Sequence, residues 1–580
     1  MQSITFSAEP RFDRSMTTTG RGIIRAFSAT QLWKLCVDCA LYLALGSLLP
    51  AYTVSAQQTS VNPLPRIDKK GAHPALIVDG APFLMLGAQI NNSSSWPSTM
   101  PAVWSTMEEL GANTVEAPVY WETMEPEKGR FDFGQVDMLL TEARAHNKRL
   151  VLLWFGTWKN GSPGYTPAWM KRDPKRFPLV HKADGIANFS LSPFGEATLA
   201  ADCNAFTALM QHIKSSDPQH TVIMVQIENE TGVWGSMRDY GPDAAHAFAE
   251  RVPDAVLRAM TKTGAKGSWS EVFGPDADEY FCAWSIARYV EKVAEAGKAV
   301  YPLPFYVNAA LRDPLHPGGP LSFESGGPTY DVLPLWHAMA PSIDAIEPDI
   351  YMPEYDKYMA VLKQYSLPWN PFFVPETGNK AIYAHYFFSA LGHGAFGWSP
   401  FGMDATGYSN YPLGAATLDA EELRPFRYNY EVVRPIVREL AEWIREGRVE
   451  GVAESPEKHV EQVALPLLDN AAPHWTAVVS YGLPSFWASQ PAPGNKEPEG
   501  EALIVALGPD EFLVAGTHCR VDFTAAGLLK GKQRMWIVVE EETYKNGEWQ
   551  RDRIWNGDQT DYGLNFQDKP ELLRVKLAAF

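Results

Sequence analysis

Between about residue 80 and residue 405 the chain repeats one alternation: a short, almost wholly apolar run, then a longer segment whose apolar residues recur at helical spacing. An apolar run of about four to eight residues suits a strand buried on both faces, and such strands belong to parallel sheets covered by helices. Eight runs can be read, near Phe83–Leu86, Thr114–Ala117, Leu150–Phe155, Val222–Ile227, Phe305–Asn308, Ala345–Ile350, Phe372–Pro375 and Gly394–Trp398. Helix-like stretches lie between them, at Val136–Asn147, Glu196–Lys214, Tyr280–Ala299 and Lys380–Leu391. Eight βα units predict an α/β fold of the (β/α)8 TIM-barrel kind. An open doubly wound sheet is the alternative, but no GxGxxG follows any of the runs.

After the eighth run, Val432, Val433, Ile436, Leu440, Trp443 and Ile444 lie at helical spacing and predict a helix that closes the barrel. Beyond Gly451 the texture changes to short strands, at 475–481, 502–507, 511–515, 535–540 and 573–577. They predict a C-terminal β-sandwich domain at 451–580 behind a catalytic barrel at 60–450. Its expected role is to brace the barrel, with glycan binding and a dimer face as the alternatives.

The front of the chain reads as an address. Arg21 and Arg25 precede an apolar segment from about Leu35 to Val54, and Val54-Ser55-Ala56 offers a small-residue cleavage site. Asp38 interrupts the segment, which favours a signal peptide at 1–56 over a membrane anchor. A periplasmic or secreted protein is expected, with no membrane association after cleavage. The formal net charge of −18 argues against a nucleic-acid partner, whose phosphates call for a basic face. Cys203, Cys282 and Cys519, the cysteines beyond that segment, are widely spaced and show no metal-ligand pattern; the thirteen histidines form no HExxH motif.

In such a barrel the carboxyl ends of the strands open into one mouth, where the chemistry sits. The fourth run ends in Glu228-Asn229-Glu230 and the seventh in Pro375-Glu376-Thr377, so carboxylates from two strands are expected in one cleft. A pair whose environments push their pKa values apart can supply a proton donor and an ionised nucleophile. Between Glu228 and Glu230 strand periodicity does not choose, because residues two apart face the same side. Trp121, Trp158, Tyr351 and Trp398 fall at strand ends, where aromatic faces can stack on sugar rings. Asp349 is positioned to orient a neighbour, Tyr351 to hydrogen-bond the nucleophile, and Glu125 to fix its loop; Gln89 and Asn308 are weaker candidates.

The segment "VQIENE" resembles the acid/base motif of glycoside hydrolase family 35, the retaining β-galactosidases of clan A. "GANTVEAPVYWETMEPEKGRFDF", residues 111–133, resembles that family's second-strand signature, and "TPAWM", residues 166–170, its Pro-x-Trp turn. The resemblance spans about 80–405. It implies Glu230 as acid/base, Glu376 as nucleophile, Asn229 as partner of the sugar 2-hydroxyl and Glu228 in a structural role. Thr231-Gly232 stands where Tyr-Gly is usual, and Pro375-Glu376-Thr377 where Ser-Glu-Phe is usual. Pro118 and Thr157 occupy the places of the family's galactose contacts, so Glu122 or Trp158 would have to take over.

The chain is therefore similar to a divergent bacterial branch of the family that carries a C-terminal β-domain and trims xyloglucan. The expected function is a retaining exo-β-galactosidase acting on plant cell-wall oligosaccharides, without metal or other cofactor, and with homodimerisation left open. The alternatives are another clan A glycosidase, such as a β-glucosidase, β-mannosidase or glucanase, and a catalytically silent carbohydrate-binding barrel.

Overall fold

The computed structural model describes residues 62–465, 474–482 and 494–580; the expected signal segment at 1–56 lies outside them. The described chain opens with a small antiparallel sheet of β1 (Arg66–Asp68), β2 (Ala75–Val78) and β3 (Ala81–Pro82). Next come β4 (Met85–Gln89), β5 (Thr114–Tyr120) and β6 (Arg149–Lys159), and then a hairpin of β7 (Leu179–His181) and β8 (Ala187–Leu191). The series continues with β9 (Val222–Asn229), β10 (Phe305–Ala310), β11 (Ala345–Ile350), β12 (Val374–Thr377) and β13 (Gly397–Pro400). The hairpin stands apart. The other eight strands from β4 to β13 pair in parallel, in chain order, and close into a barrel as β13 meets β4. All eight expected runs are barrel strands.

Side-chain alternation sorts these strands into two cores. On β6, Val151, Leu153 and Phe155 point inward and cluster with Met85, Tyr306, Ala345, Phe373 and Phe396. Leu76, Val78 and Phe83 of the first sheet and its exit join that cluster and seal one end of the barrel. The intervening Leu150, Leu152 and Trp154 pack outward with Phe206, Leu209 and Met210 of the helix Glu196–Ser216. Double burial is why the strands read as unbroken apolar runs.

The C-terminal part holds β14 (Val449–Ala453), β15 (Val460–Ala464), β16 (Trp475–Tyr481), β17 (Glu501–Gly508) and β18 (Glu511–Thr517). It goes on through β19 (Cys519–Ala525), β20 (Arg534–Lys545), β21 (Glu548–Ile554), β22 (Leu564–Phe566) and β23 (Glu571–Ala579). They form two antiparallel sheets, β14-β17-β18-β23-β20-β21 and β15-β16-β19-β22. Ile504, Val514, Val575, Val479 and Phe523 fill the space between the sheets. Leu503, Val505, Leu513 and Ala515 point the other way, into the core shared with the barrel helices. The larger sheet is thus apolar on both faces, and it braces the barrel as well as building its own sandwich.

The shared core makes residues 62–580 one compact unit. Among the described residues no helix is long and apolar enough to cross a membrane. Several elements escaped the periodicity reading. The first sheet is too short to show a period, β19 interleaves Arg520 and Asp522 with its apolar residues, and β21 is charged and exposed along most of its length. At the seam, Gly451 of β14 lies against the helix Phe387–Gly392 so closely that a Cβ would overlap the Phe388 carbonyl. The variant Gly451→Ala is expected to lose about 1–3 kcal/mol of stability through overpacking, read as a lowered midpoint in denaturant unfolding.

Candidate active site

Two departures from regular strand geometry build the mouth of the barrel. Phe373, just before β12, belongs to the inner cluster and Val374, its first residue, to the outer one, so strict alternation would turn Glu376 outward. The register shifts between Val374 and Thr377, next to Pro375, which has no N–H to give to a ladder. That irregularity turns Glu376 inward, opposite Asp349 of β11. The Gln89 side chain donates to Glu376 Oε2 at 2.8 Å, and the Tyr351 hydroxyl donates to Oε1 at 2.6 Å.

The second departure lies at the end of β9, where Glu228 has φ 61° and Glu230 φ 44°. Left-handed backbone is uncommon for residues other than glycine and has to be held by its surroundings. Here it sends two neighbouring carboxylates in opposite directions. Glu228 turns toward the helix layer, where its Oε2 accepts the Trp158 N–H at 2.7 Å and lies beside Asp202 of the helix Glu196–Ser216. Glu230 turns into the mouth, and its N–H donates to Asn308 Oδ1 at 2.9 Å. One carboxylate oxygen each of Glu230, Asp349 and Glu376 lies within 4.8 Å of the others.

Three buried acids this close cannot all be ionised without severe repulsion. Burial raises the Glu230 carboxyl to about 7, with Glu376 adding to the rise and the Lys159 ammonium opposing it. Burial also lifts Asp349 well above the usual range, reinforced by Glu376 and then Glu230. Asp349 is held by the Asn308 amide, which donates to Oδ2. Beneath them, inside the barrel, Glu116 accepts the Tyr306 hydroxyl at 3.0 Å and is pushed up to about 8, chiefly by burial. The arrangement favours a protonated Glu230 near neutrality beside a Glu376 that receives two hydrogen bonds.

Other residues singled out from the sequence divide between mouth and core. Asn229 is buried at the strand end with both amide atoms unpartnered, so it has hydrogen-bonding capacity to spare. Tyr351 touches Glu376 directly. Trp121, Trp158 and Trp398 sit in the packed layer outside the barrel. The Trp121 indole donates to Glu125 at 2.8 Å, Trp158 to the Leu191 carbonyl at 3.2 Å, and Trp398 to the Tyr358 hydroxyl at 3.1 Å. Glu122 is exposed at the rim and pairs with Lys171 at 3.2 Å.

Strand parity could have separated these tryptophans: Trp121 is in phase with the outward Val115, Ala117 and Val119, and Trp398 pairs with the outward Leu86. Periodicity did not reveal Lys159, whose Nζ is 4.0 Å from Glu230 Oε2. An aromatic stack was also missed. Trp96, 43% exposed, stacks on Tyr120 at 5.8 Å, and Tyr120 stacks on Tyr165 at 5.4 Å. Among the described residues the three converging carboxylates are the sole grouping of acids, histidines or cysteines close enough to share an ion, and the Lys159 ammonium is the cation beside them.

Residues 75–177 match the model for glycosyl hydrolases family 35, and residues 426–567 match a domain of unknown function, DUF5597. A β-galactosidase of Xanthomonas manihotis is 27% identical over 238 residues, covering 39% of this chain and 35% of that protein. β-Galactosidase 17 of Arabidopsis thaliana is 24% identical over 293 residues, covering 47% of this chain and 40% of its own length. The chain thus spans well under half the length of these curated relatives. The crystal structure of a β-galactosidase from the psychrophilic Marinomonas ef1 aligns with a TM-score of 0.47 at 13% identity, over 62% of this chain and 61% of that one.

The placement of the tryptophans has a direct test. Trp121→Phe removes a buried hydrogen bond and leaves Glu125 Oε2 without its donor, which should destabilise the protein by about 1–3 kcal/mol. Melting should report the loss, while KM for any substrate stays within about twofold; a large KM change with an unaltered melting curve would place this ring at the substrate.

Proposed function

We propose that this chain, whose barrel is related to the family 35 glycosyl hydrolases, is a retaining exo-β-galactosidase that removes terminal β-galactosyl residues from plant cell-wall oligosaccharides such as xyloglucan fragments. The observation that carries this reading is the approach of Glu230 and Glu376 to within 4.8 Å. Retaining glycosidases hold their two carboxyls about 5–5.5 Å apart, whereas inverting ones need about 6.5–9.5 Å to admit a water.

In this mechanism Glu230, protonated because it is buried beside another acid, gives its proton to the departing glycosidic oxygen. Glu376 attacks the anomeric carbon from the opposite face and forms a covalent glycosyl-enzyme. Tyr351 and Gln89 hold the attacking carboxylate by its two oxygens, which fixes its direction. Glu230, now ionised, takes a proton from water, and the hydroxide displaces Glu376 with the original anomeric configuration restored. Asn229, with its amide unpartnered, is the residue placed to bind the 2-hydroxyl. The Trp96 face over Tyr120 and Tyr165 is a surface on which the leaving part of the substrate can stack.

One observation favours a second reading, another clan A glycosidase. Thr157 offers no free group to a sugar, because its hydroxyl donates to Asp202 at 2.6 Å and lies 2.8 Å from the Tyr289 hydroxyl. A panel of nitrophenyl glycosides separates the two, since the proposed enzyme should prefer the β-galactoside by a wide margin. Export to the periplasm or the medium belongs to the same proposal, and fractionation of expressing cells tests it.

Two kinetic outcomes are expected. Glu376→Gly should lower turnover by more than about four orders of magnitude, and azide should restore it with formation of the α-configured glycosyl azide. A variant that keeps wild-type activity without azide would end the assignment. Because Glu230 must carry its proton in the free enzyme, and burial sets that proton's loss at about 7, kcat/KM should fall about tenfold per pH unit above neutrality. A profile flat to pH 9 would exclude Glu230 as the acid.

A further inference from the structure

Lys159 ends β6, the longest barrel strand, and is only 9% exposed. Its position is tied to that of Glu230 through the backbone. Lys159 pairs with Asn229 across β6 and β9, and the next two amides, of Asn160 and Gly161, donate to the Asn229 and Glu230 carbonyls at 3.2 Å each. The ammonium lies 5.5 Å from the centre of the Phe155 ring and donates to Asn160 Oδ1, so its reach is limited on both sides. It faces Glu230 Oε2 at 4.0 Å.

The groups around Glu230 come from every neighbouring element. Asp349 and Tyr351 come from β11 and its exit, Glu376 from β12, Lys159 from β6, and Glu324 from the segment between β10 and β11. Glu324 is buried against the backbone of Gly232, where a Cβ would stand 2.6 Å from its own, and one of its oxygens has no partner. Burial, with Glu230 adding, lifts its carboxyl well above the usual range. Lys159 is the one cation in this set. Glu376 repels the Glu230 carboxylate, whereas a hydrogen bond from Asp349 favours it to a smaller extent than the ammonium does.

We propose that Lys159 is a positioning residue that sets when Glu230 releases and regains its proton, so that one carboxyl serves as acid in the first step of the reaction and as base in the second. The inference rests on the glycosidase reading and deepens it. Once Glu376 is tied up in the glycosyl-enzyme it no longer repels Glu230, but burial still favours the protonated form, and the ammonium is the charge on hand to oppose it. The ammonium favours the ionised form at that stage, and the remaining acids keep the protonated form accessible before it. No bond to Lys159 is made or broken.

The test compares Lys159→Met with Lys159→Arg in the full chain. An opposite charge at this separation lowers a carboxyl pKa by about one to three units, so the methionine variant should move the alkaline limb of kcat/KM upward by that amount. The second step should slow, so that glycosyl-enzyme accumulates and kcat falls more than kcat/KM. Arginine should restore the limb to within about half a unit. A methionine variant with an unmoved limb, or an arginine variant that behaves like methionine, overturns the inference.

A readout independent of turnover keeps this separate from the glycosidase assignment. The infrared band of a protonated carboxyl that disappears in Glu230→Gln can be titrated in the wild type and in Lys159→Met. The same upward shift is expected there, and its absence would overturn the role of Lys159 whatever the substrate. If the wild type hydrolyses no glycoside while the band still shifts, the proposed function fails and the electrostatic control stands.

Discussion

The structure depends on the burial of several carboxyl groups within a few ångströms of one another at the carboxyl ends of parallel strands. Such a cluster opposes folding if all its members are charged, because neither water nor enough counter-charge is present to stabilise them. It becomes tolerable when some members stay protonated and hydrogen-bonded, as Glu116, Asp349 and Glu230 are placed to do. That same compromise supplies a proton donor near neutral pH next to a carboxylate held by Tyr351 and Gln89. Stability and the proposed chemistry therefore share one origin.

The barrel makes the compromise possible by rigidity. Its inward side chains are packed from one end by the first sheet, and its outward side chains are gripped by helices and by the double-faced C-terminal sheet. Against that frame the backbone can sustain left-handed φ at Glu228 and Glu230 and a slipped register before Glu376. Each irregularity carries a local cost, of the order of 1–3 kcal/mol for a residue held in a rarely populated region. Each one also re-aims a carboxylate. In regular strands Glu228 and Glu230 would face the same side and Glu376 would turn away from both.

Much of this is legible in the amino-acid sequence. The eight apolar runs are the eight barrel strands, and the two acidic strand ends do meet at one mouth. Tyr351 was expected beside Glu376, and it donates to it. The aromatic candidates were another matter. Trp121, Trp158 and Trp398 lie at strand ends as expected, but their rings pack among helices, because position along a strand fixes depth in the barrel and parity fixes the face. Parity was available for Trp121 and Trp398 and would have assigned them outward.

What the sequence alone determined is the set of patterns that act over a few residues: the strand and helix periods, the double burial of the strands, and the acidic groups at their ends. These follow from local geometry, since a side chain's face is decided by its neighbours one and two positions away. Tertiary structure decided the rest: which of two nearby glutamates enters the mouth, how close it comes to Glu376, and that Lys159 stands opposite it. Those outcomes depend on backbone torsions and register shifts that only packing across strands can hold, and on charges far apart in the chain that interact once water is excluded.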